Sequence, residues 1–127
     1  MSFVSIAAVT LNQIPLDWKG NLLRIQKALK ETEQHDIVNF PELCLSGYGC
    51  EDQFLGTFVS EKSIESLLQL KEQVENQLVL VGLPIWWNGN LYNTTAILFQ
   101  KEIVALIPPY NFVTSIAYWQ AFIRVIG

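Results

Sequence analysis

The first 40 residues place a strand pattern, an amphipathic helix pattern and a second strand pattern in close succession. Residues 4–10 are β-prone and almost continuously apolar, as in a strand covered on both faces. Asp17 is a predicted N-cap for a helix of roughly four turns. One apolar stripe runs along that helix, formed by Trp18, Leu22, Ile25 and Leu29. Residues 36–40 form the second strand, so the order predicts a βαβ unit with parallel strands.

The rest of the pattern predicts a mixed sheet. Residues 41–58 are loop-like and long enough to suggest a functional loop. A second helix is expected to begin near Ser60. Its predicted buried side consists of Ile64, Leu67, Leu68 and Val74. A strand at 78–83 follows, then a hairpin turn at Asn88-Gly89-Asn90 and antiparallel strands at 92–99 and 102–107. The fold class is therefore α/β.

Composition excludes several classes of function. The net charge is −4 and basic residues do not cluster, so nucleic-acid binding has no electrostatic support. Prolines, Asn111 and Arg124 interrupt the apolar stretch 103–126, so no membrane span is expected. The only two cysteines do not make a disulfide framework, which favours a cytoplasmic setting. A single histidine, His35, makes a metal site unexpected.

Glu42 is the candidate catalytic residue. It follows the second predicted strand directly, and sites in open α/β sheets gather beyond the carboxyl ends of strands. Its neighbours Phe40, Pro41, Leu43 and Leu45 are apolar, so we expect a partly desolvated carboxylate suited to general-base work. From these residues alone, an exposed glutamate at the end of a strand with no catalytic role is the favoured interpretation.

Residues 40–48 read Phe-Pro-Glu-Leu-Cys-Leu-Ser-Gly-Tyr, and residues 47–54 continue as Gly-Tyr-Gly-Cys-Glu-Asp-Gln-Phe. This segment resembles the glutamate motif of the carbon–nitrogen hydrolase (nitrilase) family. The longer form resembles the glutaminase domain of glutamine-dependent NAD synthetases more specifically. The resemblance covers residues 3–107. Further matching positions are Gln13, Pro15, Asp17, Gly20-Asn21, Val81-Gly82-Leu83-Pro84 and Leu91-Tyr92-Asn93-Thr94.

The resemblance implies an α-β-β-α sandwich, of which residues 1–107 form part, with a mixed sheet and two helices on one face. It implies a homo-oligomer that pairs through its helices, and a Glu–Lys–Cys triad that releases ammonia from glutamine, or from another small amide, through a thioester. Glu42 matches the general base of that triad. Tyr48 and Glu51 are expected only to shape the loop. No cofactor is expected, and the ATP-pyrophosphatase motif of a complete NAD synthetase is absent.

The other two triad members are unmatched. Where the family has its lysine, the sequence places Pro109, which has neither charge nor donor. The nearest lysine, Lys101, falls in a predicted hairpin turn at the opposite end of the strand. The family nucleophile lies downstream of the lysine. Cys44 is expected to be a small buried hydrophobe, and Cys50 to be exposed on the loop.

Residues 108–127 match the family only loosely, so we expect a divergent or out-of-frame tail on a truncated gene product without hydrolase activity. Three alternatives stay open from the sequence. The chain could be an amidase that uses Cys44 or Cys50 as a relocated nucleophile. It could be a non-catalytic oligomerising or regulatory subunit on the same scaffold. It could also fail to fold alone, because half a sandwich leaves sheet edges unpaired.

Overall fold

A computed structural model describes residues 2–108 of the chain. Five strands form one sheet in the order β1-β2-β3-β4-β5. The elements along the chain are β1 (Ile6–Ala8), α1 (Trp18–Glu31), β2 (Ile37–Asn39), a 3-10 helix (Glu51–Leu55), α2 (Phe58–Lys71), β3 (Leu78–Trp87), β4 (Asn90–Phe99) and β5 (Glu102–Ile107). The pairs β1/β2 and β2/β3 are parallel, whereas β3/β4 and β4/β5 are antiparallel. The predicted α/β class and mixed sheet are confirmed.

The predicted βαβ unit is present, with one error at its edge. The Asp17 side chain accepts a hydrogen bond from the Gly20 backbone N–H at 3.1 Å, as predicted for an N-cap. The predicted stripe contributes Leu22, Ile25 and Leu29 to the core. The prediction of a long first strand covered on both faces is wrong. β1 has three residues at the edge of the described sheet, and Ile6 is 64% exposed, so one face of β1 is left uncovered by the described residues.

The buried side of α2 is only partly the one predicted. Leu67 is fully buried, but Ile64 and Leu68 are half-buried, and Val74 is buried beyond the end of the helix. The inward positions of α2 are Val59, Ser60, Ser63, Ser66, Leu67 and Leu70. Small serine side chains let the helix pack closely on the sheet, and a pattern based on apolar residues alone overlooks such positions.

Two tight turns and a bulge fix the register of the antiparallel strands. Asn88 and Gly89 have φ of 48° and 81°, the left-handed conformations of a type I′ hairpin turn, which confirms the predicted turn. Gln100 and Lys101, with φ of 49° and 60°, form the second turn. A register shift between β4 and β5 leaves Val104 without a partner.

The two faces of the sheet differ. One face and both helices share a single apolar cluster. Its strand members include Val79, Val81, Leu83, Ile85, Ala96 and Leu98, all fully buried. Since side chains alternate along a strand, the intervening residues of β3 and β4 lie on the opposite, helix-free face. Within residues 2–108, no helix is both long and apolar enough to cross a bilayer.

Candidate functional site

The loop that carries Glu42 packs directly on β3. Phe40 N–H donates to Leu80 O at 2.9 Å and Leu45 N–H to Gly82 O at 3.3 Å, so the chain leaves β2 and continues beside β3. Between these bonds the backbone of Pro41, Glu42 and Leu43 crosses Gly82. A Cβ at Gly82 would lie 2.5 Å from Leu43 N and 2.8 Å from Glu42 Cα. Glycine at this position is what allows the glutamate loop to contact the sheet.

A network of polar side chains supports the same loop from the α1 side. Asn21 is fully buried, and its side-chain amide donates to Ile14 O at 2.8 Å and to Leu45 O at 3.3 Å. Gln13 Nε2 donates to Cys44 O at 2.7 Å. Arg24 binds Gln13 Oε1 at 2.8 Å and Asn21 Oδ1 at 2.6 Å. These bonds connect the start of α1 to the backbone that follows Glu42.

Both carboxylate oxygens of Glu42 have a donor. The Tyr48 hydroxyl donates to Oε2 at 2.8 Å, and the Asn93 side-chain amide donates to Oε1. Tyr48 comes from the same loop, whereas Asn93 lies on β4, 51 positions away in the sequence. The expectation that Glu42 is partly desolvated is wrong for the described residues, because Glu42 is exposed on the helix-free side of the sheet.

The contact with Glu42 contributes to a raised pKa of Tyr48. The ring is 55% exposed. Even so, partial burial, then the hydrogen bond to Glu42 and its negative charge, raise the pKa of Tyr48, and Cys44 adds to the effect. Tyr48 therefore stays protonated and able to donate at neutral pH. The expectation that Tyr48 only shapes the loop stays a prediction, and the structure adds its direct contact with Glu42.

Neither cysteine is placed as a nucleophile. Cys44 is 1% exposed, as predicted, and burial raises the pKa of its thiol to about 12. The prediction that Cys50 is exposed is wrong: it is 3% exposed, and its thiol contacts Ser46 O at 3.5 Å and Gly47 O at 3.4 Å. Burial also raises the pKa of Cys50. Both thiols are free, and their burial disfavours the thiolate that a nucleophile needs.

A shallow cavity of about 260 Å³ lies beside Glu42. It is lined by Leu43, Phe54, Pro84, Leu91 and Asn93. Asn93 therefore contacts both the Glu42 carboxylate and this cavity. Larger grooves run along the outer surface of α1 near Leu23 and Gln26, but neither of those grooves is lined by Glu42 or its two donors.

Lys101 is placed far from Glu42, as predicted. It lies in the β4–β5 turn, and its ammonium is 3.9 Å from Glu75 Oε1. Asn93 lies at the Glu42 end of β4, and the six residue-to-residue steps from Asn93 to Phe99 span about 20 Å. Pro109, which takes the place of the family lysine in the sequence, lies outside the described residues, as does the tail beyond it.

The structure therefore presents a glutamate loop on a mixed α/β sheet, with the Glu42 carboxylate at the helix-free face. Residues 5–109 match the family model for carbon–nitrogen hydrolases, and the chain belongs to that family. Among its relatives are glutamine-dependent NAD(+) synthetases. Sequence identity is 33% over 109 residues to the Drosophila melanogaster protein and 34% over 113 residues to the Dictyostelium discoideum protein. The human protein is 31% identical over 109 residues.

Solved structures agree on the fold. The glutamine-dependent NAD(+) synthetase from Cytophaga hutchinsonii superposes with a TM-score of 0.83 at 29% identity, over 93% of this chain and 21% of that one. Saccharomyces cerevisiae Nit3, a nitrilase-superfamily member, superposes with a TM-score of 0.66 at 23% identity, over 85% of this chain and 44% of that one. The three relatives above match over 83% to 85% of this chain, which spans only 14% to 16% of their length.

Proposed function

We propose that this chain carries the glutamate-bearing part of a nitrilase-type glutamine amidohydrolase site and that its 127 residues alone do not hydrolyse glutamine. The observation that supports this proposal is the placement of Glu42: both of its carboxylate oxygens have a donor, and one of these donors, Asn93, also lines a cavity. The similarity to glutamine-dependent NAD(+) synthetases supports glutamine as the amide. The resemblance of residues 40–54 to the glutamate motif of the family supports the role of Glu42 as general base.

The reaction assigns Glu42 two proton transfers, one from a thiol and one to the leaving ammonia. A carboxylate base takes the proton of a thiol, and the thiolate attacks the amide carbonyl to give a tetrahedral oxyanion. A cation or donor stabilises that oxyanion, and the base returns the proton to the leaving ammonia. Water then releases glutamate from the thioester. Glu42 supplies the base, but the thiol and the cation must come from elsewhere.

Inactivity of the 127 residues alone follows from the thiols and lysines that they contain. Cys44 and Cys50 are buried and hold their protons, which disfavours the relocated-nucleophile alternative. Lys101 is the lysine nearest in sequence to Pro109, the position of the family lysine, and it follows the end of β4 that is remote from Glu42. Loss of oxyanion stabilisation alone typically costs about a hundredfold to a thousandfold in kcat.

A non-catalytic oligomerising subunit is the second candidate. Large apolar side chains are exposed on α1, α2 and β5. They are Leu23 at 55%, Phe58 at 48%, Val104 at 54% and Ile107 at 47%. Exposed apolar surface of this kind supports an interface with another chain. Analytical ultracentrifugation tests this candidate function: an oligomerising subunit must sediment as a discrete oligomer, and a monomer would contradict it.

We further propose a cytoplasmic setting, which the two free thiols support. We also propose that residues 108–127 diverge from the family as a truncated or out-of-frame tail. The family match that ends at residue 109 supports this boundary. Translating the coding DNA beyond this point in the other frames tests it. Finding neither Lys, Cys nor synthetase-like sequence there would contradict an out-of-frame tail.

A chimera tests the assignment of Glu42. Residues 3–107 replace the matching segment of the human relative, whose remaining chain is kept, and ammonia release from glutamine is measured. We expect activity in the chimera, and a loss of at least about a hundredfold in kcat with Glu42→Gln. The exposed Glu61→Gln on α2 is the matched control. A folded chimera that stays active after Glu42→Gln would overturn the assignment.

A further inference from the structure

We infer that Asn93 is a positioning residue for Glu42: its side-chain amide, which lines the cavity, fixes the carboxylate beside the Tyr48 hydroxyl. This inference rests on the proposed function, because it gives Asn93 a purpose in holding the base. The contact itself can be measured in the 127-residue chain without catalysis.

The Asn93 side-chain amide can face the Glu42 carboxylate in one orientation only. An ionised carboxylate only accepts hydrogen bonds, so Asn93 must present its NH2 group and not its carbonyl oxygen to Glu42 Oε1. A bond to a charged acceptor is shorter and stronger than one between neutral groups. Tyr48 occupies the other oxygen. With one donor on each oxygen, rotation of the carboxylate is restricted.

Of the two donors, Asn93 is the one that lies in regular secondary structure. It lies within β4, paired with Pro84 of β3 in the long hairpin, whereas Tyr48 belongs to an irregular loop. The loop is held in an uncommon conformation beside the glutamate, since Leu43 has φ of 50°. Such a conformation persists only where the surroundings support it. Gly82 beneath the loop and Asn93 beside the carboxylate supply that support from adjacent strands.

A substitution at Asn93 can remove the hydrogen bond to Glu42 without disturbing the packing of the core. Its side chain is exposed, so removing the amide leaves the core intact. The neighbouring position Thr94 is buried and faces the helices. A change at Asn93 therefore affects the carboxylate and the cavity beside it, while the apolar cluster that stabilises the sheet is unaffected.

The test is the titration of the Tyr48 phenol by NMR in the full 127-residue chain, with Tyr48→Phe used to assign its signal. Asn93→Leu keeps the volume and removes the donor. Asn90→Leu, on the same strand, is the matched control, since Asn90 donates to Asn88 O and not to Glu42. We expect Asn93→Leu to lower the pKa of Tyr48 in the same direction as Glu42→Gln, and Asn90→Leu to leave it unchanged.

Two outcomes would overturn the inference. If Glu42→Gln lowers the pKa of Tyr48 but both Asn93→Leu and Asn93→Ala leave it unchanged, Asn93 does not position the carboxylate. If Glu42→Gln has no effect, the Tyr48–Glu42 contact is absent. Both results are independent of hydrolysis. An inactive chimera would contradict the proposed function while leaving the expected Tyr48 titration intact.

Discussion

Gly82 of β3 lies so close to Glu42 that a Cβ on the glycine would meet the glutamate Cα at 2.8 Å. The other atoms it would meet, Leu43 N and Pro41 O at 2.5 and 2.8 Å, also belong to the backbone, which cannot rotate away as a side chain can. The strand and the glutamate loop are thus one packing unit, and the position of the proposed base depends on the absence of a side chain on its neighbour.

We expect Gly82→Ala to lower the free energy of unfolding by about 1 to 3 kcal/mol, as overpacked sites do. It should also shift the Tyr48 titration, because the loop must move. Urea unfolding measures the first effect. Gly56→Ala is the control, since a Cβ there meets nothing within 4 Å. Equal stability of the two variants would contradict the proposed close packing.

Asn21 is the buried connection between α1 and the glutamate loop. Asn21→Leu keeps the volume but leaves the backbone groups of Ile14 and Leu45 without their partner. We expect a loss of about 2 to 3 kcal/mol in the free energy of unfolding, the cost of leaving buried polar groups unpaired. Asn90→Leu, at an exposed position, should stay within about 0.5 kcal/mol of wild type. A neutral Asn21→Leu would argue against the network.

The two thiols should be protected by the fold. With Cys44 and Cys50 buried and the pKa of Cys44 near 12, a thiol reagent at pH 8 should label the folded chain at least roughly a hundredfold more slowly than the chain in concentrated urea. Cys44→Ser and Cys50→Ser assign the two rates. Rapid labelling of either thiol in the folded chain would revive the relocated-nucleophile alternative.

Asp36, beside the edge strand β1, is expected to make the stability of the fold depend on pH. Its Oδ2 accepts from Ser5 N–H at 2.8 Å and from Ser5 Oγ at 3.1 Å, and these bonds, with His35 nearby, hold the pKa of Asp36 below its usual value. A lowered folded-state pKa contributes stability that is present above the unfolded value and is lost as pH falls through the folded one.

Asp36→Asn should therefore be less stable than wild type at neutral pH, and the difference should shrink as acid protonates Asp36. Urea unfolding at a series of pH values measures this, with Asp52→Asn on the 3-10 helix as control. A difference in unfolding free energy that stays constant down to the lowest pH would contradict this explanation.

Local patterns in the sequence predicted the helix cap at Asp17, the turn at Asn88-Gly89 and the loop that carries Glu42. These features depend on neighbouring residues, which the sequence displays directly. The partner Asn93 could not be assigned, because its contact depends on the register of β4 against a loop 51 residues earlier. Asn93 does lie within the matched segment Leu91-Tyr92-Asn93-Thr94, which was the available signal.

Burial was the other weak point of the sequence-based predictions. Glu42 has apolar neighbours in the chain, yet the loop projects its carboxylate outward, and Cys50 turns inward beneath Gly47. The edge strand β1 is apolar but exposed for a related reason: its pattern reports the composition of the strand and not what covers it. Burial depends on elements distant in sequence, and apolar neighbours do not determine it.

We propose that this chain presents the base of a glutamine-hydrolysing site without a competent nucleophile. Intact-mass analysis before and after incubation with a thiol-reactive glutamine mimic tests this proposal. The prediction is an unmodified 127-residue mass with no saturable adduct. A single adduct on Cys44 or Cys50 that glutamine competes away, and that Glu42→Gln abolishes, would show a rebuilt site and contradict the claim.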